Sequence, residues 1–329
     1  MNKLRFGLCA LSFCTAALIA GCGGSQPPTG SPGAMSQSSA FSSQAGRAEL
    51  PTLTVAGAGR SPEYNVSGPL VFVSNTSYTG VTVYHAKPKD PGPIANILDN
   101  VNGPAGDCLD SKGTLYVTNE PINGNGWVSE YPLGKTTASK VITNGILTPA
   151  ACAVDSNGNL WVTNIGGPNV TEYLFGSENP QKVITQGLSY PVGVAIDSSG
   201  NLYVSDRANS DVVIYAPGSK RPSRTITDGV TSPVEIAIDS NGILYVTNVT
   251  QNNVEEYRPG EDYPFQTITS GVRVPAAVTV NTKGRVYVAN LEESTIVAFP
   301  PGSLMPSKRQ ITKDVHGPDG VAYSPPVLP

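Results

Sequence analysis

Three carboxylates stand where a repeat in this chain otherwise places small or apolar residues. Six segments open at Pro104, Pro149, Pro191, Pro233, Pro275 and Pro318, and most close six residues later on an Asp or Asn. Four residues before that close stand Gly106, Ala151, Gly193, Ala277 and Gly320, but Glu235 in the segment from Pro233. Three before it stand Cys152, Val194, Ile236, Val278 and Val321, but Asp107 in the segment from Pro104. Five before it stand Ala and Val, but Asp319 in the segment from Pro318. A residue that breaks a structural rule needs another reason. Brought to one place, three carboxylates could hold a hard cation such as calcium, or supply an acid/base pair. The plainer alternative is that water solvates them and they do nothing specific.

The cysteines are the second chemical feature. Of five, Cys9, Cys14 and Cys22 lie near the N-terminus, leaving Cys108 and Cys152 in the repeat. No C-x-x-C occurs, which argues against a cysteine-based zinc site. Cys108 stands two residues before Asp110 and Cys152 three before Asp155, so the two side chains point to opposite faces of their strands. Neighbouring repeat units present opposite faces to each other, so a disulfide between Cys108 and Cys152 is expected; the alternative is two buried thiols that pack as small apolar groups.

The elements that position these residues are short strands. The stretch Pro191–Ser232 reads as four, each rich in Val, Ile, Tyr and Thr and separated by Gly, Asn, Asp, Ser or Pro. Successive opening prolines are 45, 42, 42, 42 and 43 residues apart. A period in the forties with four strands per unit predicts an all-β, six-bladed β-propeller with four antiparallel strands per blade. Second strands carry Phe72, Tyr116, Trp161, Tyr203, Tyr245 and Tyr287, and third strands carry Tyr84, Tyr131, Tyr173, Tyr215, Tyr257 and Phe299. One large ring per blade at each position is expected to fill the gap between blades rather than to stack a ligand. The Asn or Asp that closes each second strand (Asn75, Asn119, Asn164, Asp206, Asn248, Asn290) is expected to cap a local turn. The first unit begins at its second strand, and residues Pro318–Tyr323 supply a first strand with no unit behind it. Joined, they close the ring, with Val321 expected in a strand beside Val71.

The run PVGVAIDSSGNLYVSDRANSDVVIYAPG resembles an NHL repeat, and the likeness extends from Gly68 to Tyr323. The resemblance implies that first strands line a central channel, with the loops before first strands and after second strands sharing one face. Asp107, Glu235 and Asp319 would then stand at the channel mouth, as ligand-binding groups or speculative metal ligands with calcium as the one cofactor to consider. Tyr78, Tyr190, Arg207, Arg273, Glu292, Glu293 and His316 would share that face. The wider group includes binding scaffolds, peptide-amidating lyases, gluconolactonase-type hydrolases and virginiamycin B lyases. An amidating lyase needs several metal-binding histidines, and this chain has two, His85 and His316. No motif of the lyases or of the lactonase ligands is recognisable, and no G-x-S-x-G or H-E-x-x-H occurs.

Lys3 and Arg5 followed by the apolar run Phe6–Ala20 read as an export leader, too short for a comfortable membrane span. Leu18-Ile19-Ala20-Gly21-Cys22 resembles a bacterial lipobox, which implies a signal peptide over residues 1–21 and a lipid on Cys22. Residues 22–50 are Gly-, Ser-, Pro- and Gln-rich and read as a tether, followed by the propeller over residues 51–329. The expectation is a monomer exported to a bacterial cell envelope, anchored to the outer membrane or cell surface by lipid alone. Net charge is −4 and charged residues make up 14% of the chain, with no basic stripe for a nucleic acid. A non-catalytic binding or scaffold domain for a protein, peptide or small molecule is the leading expectation. A metal-dependent lactonase or lyase is the alternative.

Overall fold

Alternating β-branched and aromatic residues between Gly-containing turns give twenty-four strands and no helix among the described residues, which in this computed structural model are 63–325 apart from 78 and 88. The leader, Cys22 and the tether lie outside them, as does Tyr78. The strands form six antiparallel four-stranded sheets. Blade I joins the strand Pro318–Ser324 to Leu70–Asn75, Gly80–His85 and Pro93–Ile97. Blades II to VI are continuous in sequence and begin at the first strands Pro104–Leu109, Pro149–Val154, Pro191–Ile196, Pro233–Ile238 and Pro275–Val280. Each first strand touches the next, and the last returns to the first, so the sheets form a closed ring. Val321 is paired with Val73 and Tyr323 with Val71. The closing strand is the expected one, but its register differs by two residues from a pairing of Val321 with Val71, because the strand runs on to Ser324 opposite Leu70.

The core is six inter-blade clusters rather than one centre. Each interface contains one second-strand ring and one third-strand ring: Phe72 with Tyr131, Tyr116 with Tyr173, Trp161 with Tyr215, Tyr203 with Tyr257, Tyr245 with Phe299, and Tyr287 with Tyr84. The third-strand rings are buried almost completely, each contributing roughly 1.5–3 kcal/mol. Five of them also tie blades together through the hydroxyl, which donates to a carbonyl in the loop leaving the preceding blade: Tyr173 to Asn144, Tyr215 to Gln186 and Tyr257 to Asp228, with Tyr84 and Tyr131 doing the same.

The Asx ring reaches further than a local turn. Asn119, Asn164, Asn248 and Asn290 accept backbone N–H bonds from Asn102, Leu147, Thr231 and Arg273, each 17 residues upstream. Asp206 accepts from Ser189 and Tyr190, and Asn75 from His316. These buried side chains fix the loop that leads into the first strand of their own blade, and so set where each first strand meets the axis.

Candidate functional site: a carboxyl-lined central shaft

First strands pack shoulder to shoulder round the axis because their inner residues are small. A Cβ on Gly193 would lie 2.5 Å from the carbonyl oxygen of Val234 in the next blade, and one on Gly106 2.6 Å from that of Ala150. The shaft is therefore narrow. It holds a cavity of about 140 Å³ toward the turns that join first and second strands, and one of about 30 Å³ toward the opposite face.

A ring of hydroxyls reinforces this closeness. Thr118, Thr163 and Ser205 donate to the carbonyls of Ala150, Val192 and Val234 in the following first strand, at 2.8, 2.6 and 2.6 Å. Sequence reading missed these ties. The signal was the recurrent Ser or Thr just before the Asx that closes the second strand, which passes for ordinary strand composition. In blade I the equivalent hydroxyl, Ser74, instead donates to Oδ2 of Asp107 at 2.8 Å.

The three carboxylates occupy three depths. Asp319 lines the smaller cavity beside Arg207, Asp107 lines the larger, and Glu235 borders both. All three sit part-buried on the shaft wall rather than at a wide mouth, because the first strands run inward from the loop face and adjoin closely. Gly193, without a side chain, lies against the Cα of Glu235, whose carboxyl accepts the backbone N–H groups of Ile236 and Val194. Gly320 stands likewise beside the amide of Asp107.

Enclosure sets the electrostatics. Loss of water raises Asp107 to about 7, against the opposing bond from Ser74. It raises Glu235 to about 8, helped by the neighbouring carboxyls of Asp107 and Asp319. Burial also raises Asp319 to about 8; Glu120 adds to the shift and Arg207 opposes it. Near neutral pH the shaft is thus a largely protonated, hydrogen-bonding column. A hard cation wants several ionised oxygens at one point. Among the described residues, no three His, Cys, Asp or Glu side chains are grouped to hold one, so the shared-calcium arrangement is not formed.

The other candidate residues do not converge on the shaft, Arg207 excepted. Arg273 is exposed and paired with Glu292 at 3.6 Å and Glu293 at 3.9 Å, ordinary surface ion pairs. His316 is exposed on the loop leading into the closing strand, and Tyr190 is half-buried on the loop leading into blade IV. Cys108 and Cys152 are joined by a disulfide between the first strands of blades II and III, with Cα atoms 5.7 Å apart. Each turn Asp is consumed locally: Oδ1 of Asp155 accepts the N–H groups of Asn157 and Asn159, while Gly158 takes φ 83°.

Residues 188–215 match the family model of the NHL repeat. They comprise the loop leading into blade IV and its first three strands, the unit that the rest of the ring repeats with variation. The fold is shared widely. A chain in the crystal structure of a nidogen/laminin complex superposes with a TM-score of 0.64 at 16% identity, covering 78% of this chain and 98% of that one. A protein of unknown function from Bacteroides caccae gives 0.62 at 11%, covering 78% and 99%. A putative 6-phosphogluconolactonase from Bacteroides fragilis NCTC 9343 gives 0.57 at 13%, covering 80% and 99%. No curated protein sequence matches the chain. At these identities the likeness is one of fold.

Proposed function

We propose that this chain is a lipid-anchored protein of a bacterial cell envelope whose propeller binds a partner without catalysing a reaction. The observation that carries the reading is the shaft. Its cavities, about 140 and 30 Å³, are far below the roughly 300–1,000 Å³ that small-molecule sites occupy. Its carboxyls are spread over three depths rather than gathered at one point, which suits a polar plug better than a reaction centre. NHL repeats on a propeller support a binding or scaffold role, and the likeness to a putative lactonase keeps a hydrolase as the competing reading. The Cys22 anchor rests on the lipobox and the Gly/Ser/Pro-rich stretch behind it.

Two experiments test the two halves. Purified propeller is assayed on simple sugar lactones with and without added calcium; no turnover is expected, and turnover that disappears in Glu235→Gln overturns the non-catalytic reading. Palmitate labelling of cells expressing the full chain should mark the protein and should vanish in Cys22→Ser. Labelling that persists in that variant overturns the anchor.

A further inference from the structure

A cavity larger than those of the shaft lies away from it, at the seam where the ring closes between blades VI and I. It measures about 590 Å³ and is walled by Pro69, Ala86, Pro301 and Tyr323, with Lys283, Arg285 and Arg309 beside them and no Asp or Glu among the described residues that line it. Three cations lining one cleft stand out in a chain of net charge −4.

The repeat shows how this arose. At the fourth-strand position of Arg309, blades II and III have Lys140 and Lys182, paired with Glu130 at 3.8 Å and Glu172 at 2.9 Å on the adjoining third strand. Blade IV has Arg224, paired with Asp262 at 2.7 Å. In blade VI the third-strand residue is Ala298, whose N–H bonds to the carbonyl of Arg309, so the guanidinium faces no Glu. It bonds instead to the hydroxyl of Tyr287, which stacks on Tyr323 with ring centres 5.3 Å apart. The residue after the turn is Thr114, Asn159, Asn201 or Ile243 in the other blades and Arg285 here. Nη1 of Arg285 is sealed from solvent and has no hydrogen-bond partner. That nitrogen is closed to any molecule in the cavity, and it is through its accessible atoms that Arg285 lines the cleft beside Arg309.

We propose that this cleft is a binding site for a phosphate-bearing small molecule, with Arg285 and Arg309 gripping the phosphate, Lys283 at the rim, and the proline and tyrosine walls receiving an apolar or ring-shaped remainder. Planar guanidinium forks match phosphate oxygens, and a volume of this size accommodates more than the phosphate alone.

The probes are inorganic phosphate and phenyl phosphate, titrated calorimetrically into the purified propeller at low salt. Phenyl phosphate should bind in the millimolar range or tighter and more strongly than inorganic phosphate, and should weaken as salt rises. Arg309→Gln and Arg285→Gln should each reduce affinity at least tenfold. Lys283→Gln, at an exposed position that cannot disturb folding, should reduce it severalfold. Circular dichroism melts confirm that each variant is folded. A parallel arm floats the protein on phosphatidylglycerol or phosphatidylcholine vesicles. Capture by the former that is lost in Arg309→Gln assigns the phosphate to a lipid headgroup, and capture by neither leaves a soluble ester as its source. No binding of any probe overturns the proposal, as does binding that is unchanged in all three variants.

Discussion

The hydroxyl of Ser74 donates to Oδ2 of Asp107 at 2.8 Å, across the boundary between the blade built from both chain ends and the blade that follows it. In blades II to IV the equivalent hydroxyl serves a backbone carbonyl of the following blade. The carboxyl of Asp107 has thus taken over a structural tie, while its other oxygen is enclosed without a partner. That oxygen favours a proton, as do Glu235 and Asp319.

The consequence is a stability that declines toward alkaline pH. Below the usual carboxylate range, folded and unfolded chains both hold these protons. As pH rises through that range the unfolded chain releases them, whereas the folded chain keeps them until about 7 for Asp107 and about 8 for Glu235 and Asp319. The folded state binds more protons across this window, so stability falls as pH rises. The Tm should drop between pH 5 and pH 8. Glu235→Gln, a permanently uncharged mimic, should match the parent at pH 5 and exceed it at pH 8 by about 2 kcal/mol, or roughly 4–8 °C. Scanning calorimetry at the two pH values checks this; a variant that tracks the parent at both would refute it.

The same residues mark what the sequence makes legible. The repeat of Pro, aromatic and Asx positions is enough to place six blades and the closing strand, because each position recurs in a setting the fold reuses. The three carboxylates are visible as departures from that repeat. Their depth is not, since it depends on how closely first strands approach, and that is set by Gly193, Gly106 and the hydroxyls of Thr118, Thr163 and Ser205 acting across blades. The cationic seam was legible in principle: Ala298 stands where Glu130, Glu172 and Glu256 stand elsewhere. Its meaning appears only when the third and fourth strands are in register.

Ring closure rests on one strand. Pro318–Ser324 supplies the innermost strand of blade I and touches the first strands of blades II and VI. Removing residues 318–329 should expose an unpaired edge along Leu70–Asn75 and open two inter-blade cores. A fall in Tm of more than 10 °C, or failure to fold, is expected by differential scanning fluorimetry. An unchanged melt would show that the ring does not need this strand.

The Cys108–Cys152 bridge closes a 44-residue separation, worth about 4 kcal/mol on the chain-entropy model. Protein produced in an oxidising compartment and unfolded without reductant should therefore show no free thiol at these two positions. Reduction, or the double variant Cys108→Ser with Cys152→Ser, should lower the Tm by roughly 8–16 °C. Two titratable thiols in that protein would count against the bridge.

Phe299 is the one ring among the six third-strand rings that lacks a hydroxyl. Tyr173, Tyr215 and Tyr257 each donate to a carbonyl 29 residues upstream, in the loop leaving the preceding blade. Phe299 fills the same position in blade VI with no such bond, and the matching upstream residue is Ser270. Tyr257→Phe should cost about 1 kcal/mol, since it leaves the carbonyl of Asp228 without its donor, and lower the Tm by roughly 2–4 °C. Phe299→Tyr should restore the missing tie and raise the Tm by a comparable amount. The two changes are chemical inverses at equivalent positions, so side-chain volume alone cannot account for opposite signs. A Phe299→Tyr variant that melts below the parent would show that the seam beside blade VI is packed differently from the other five.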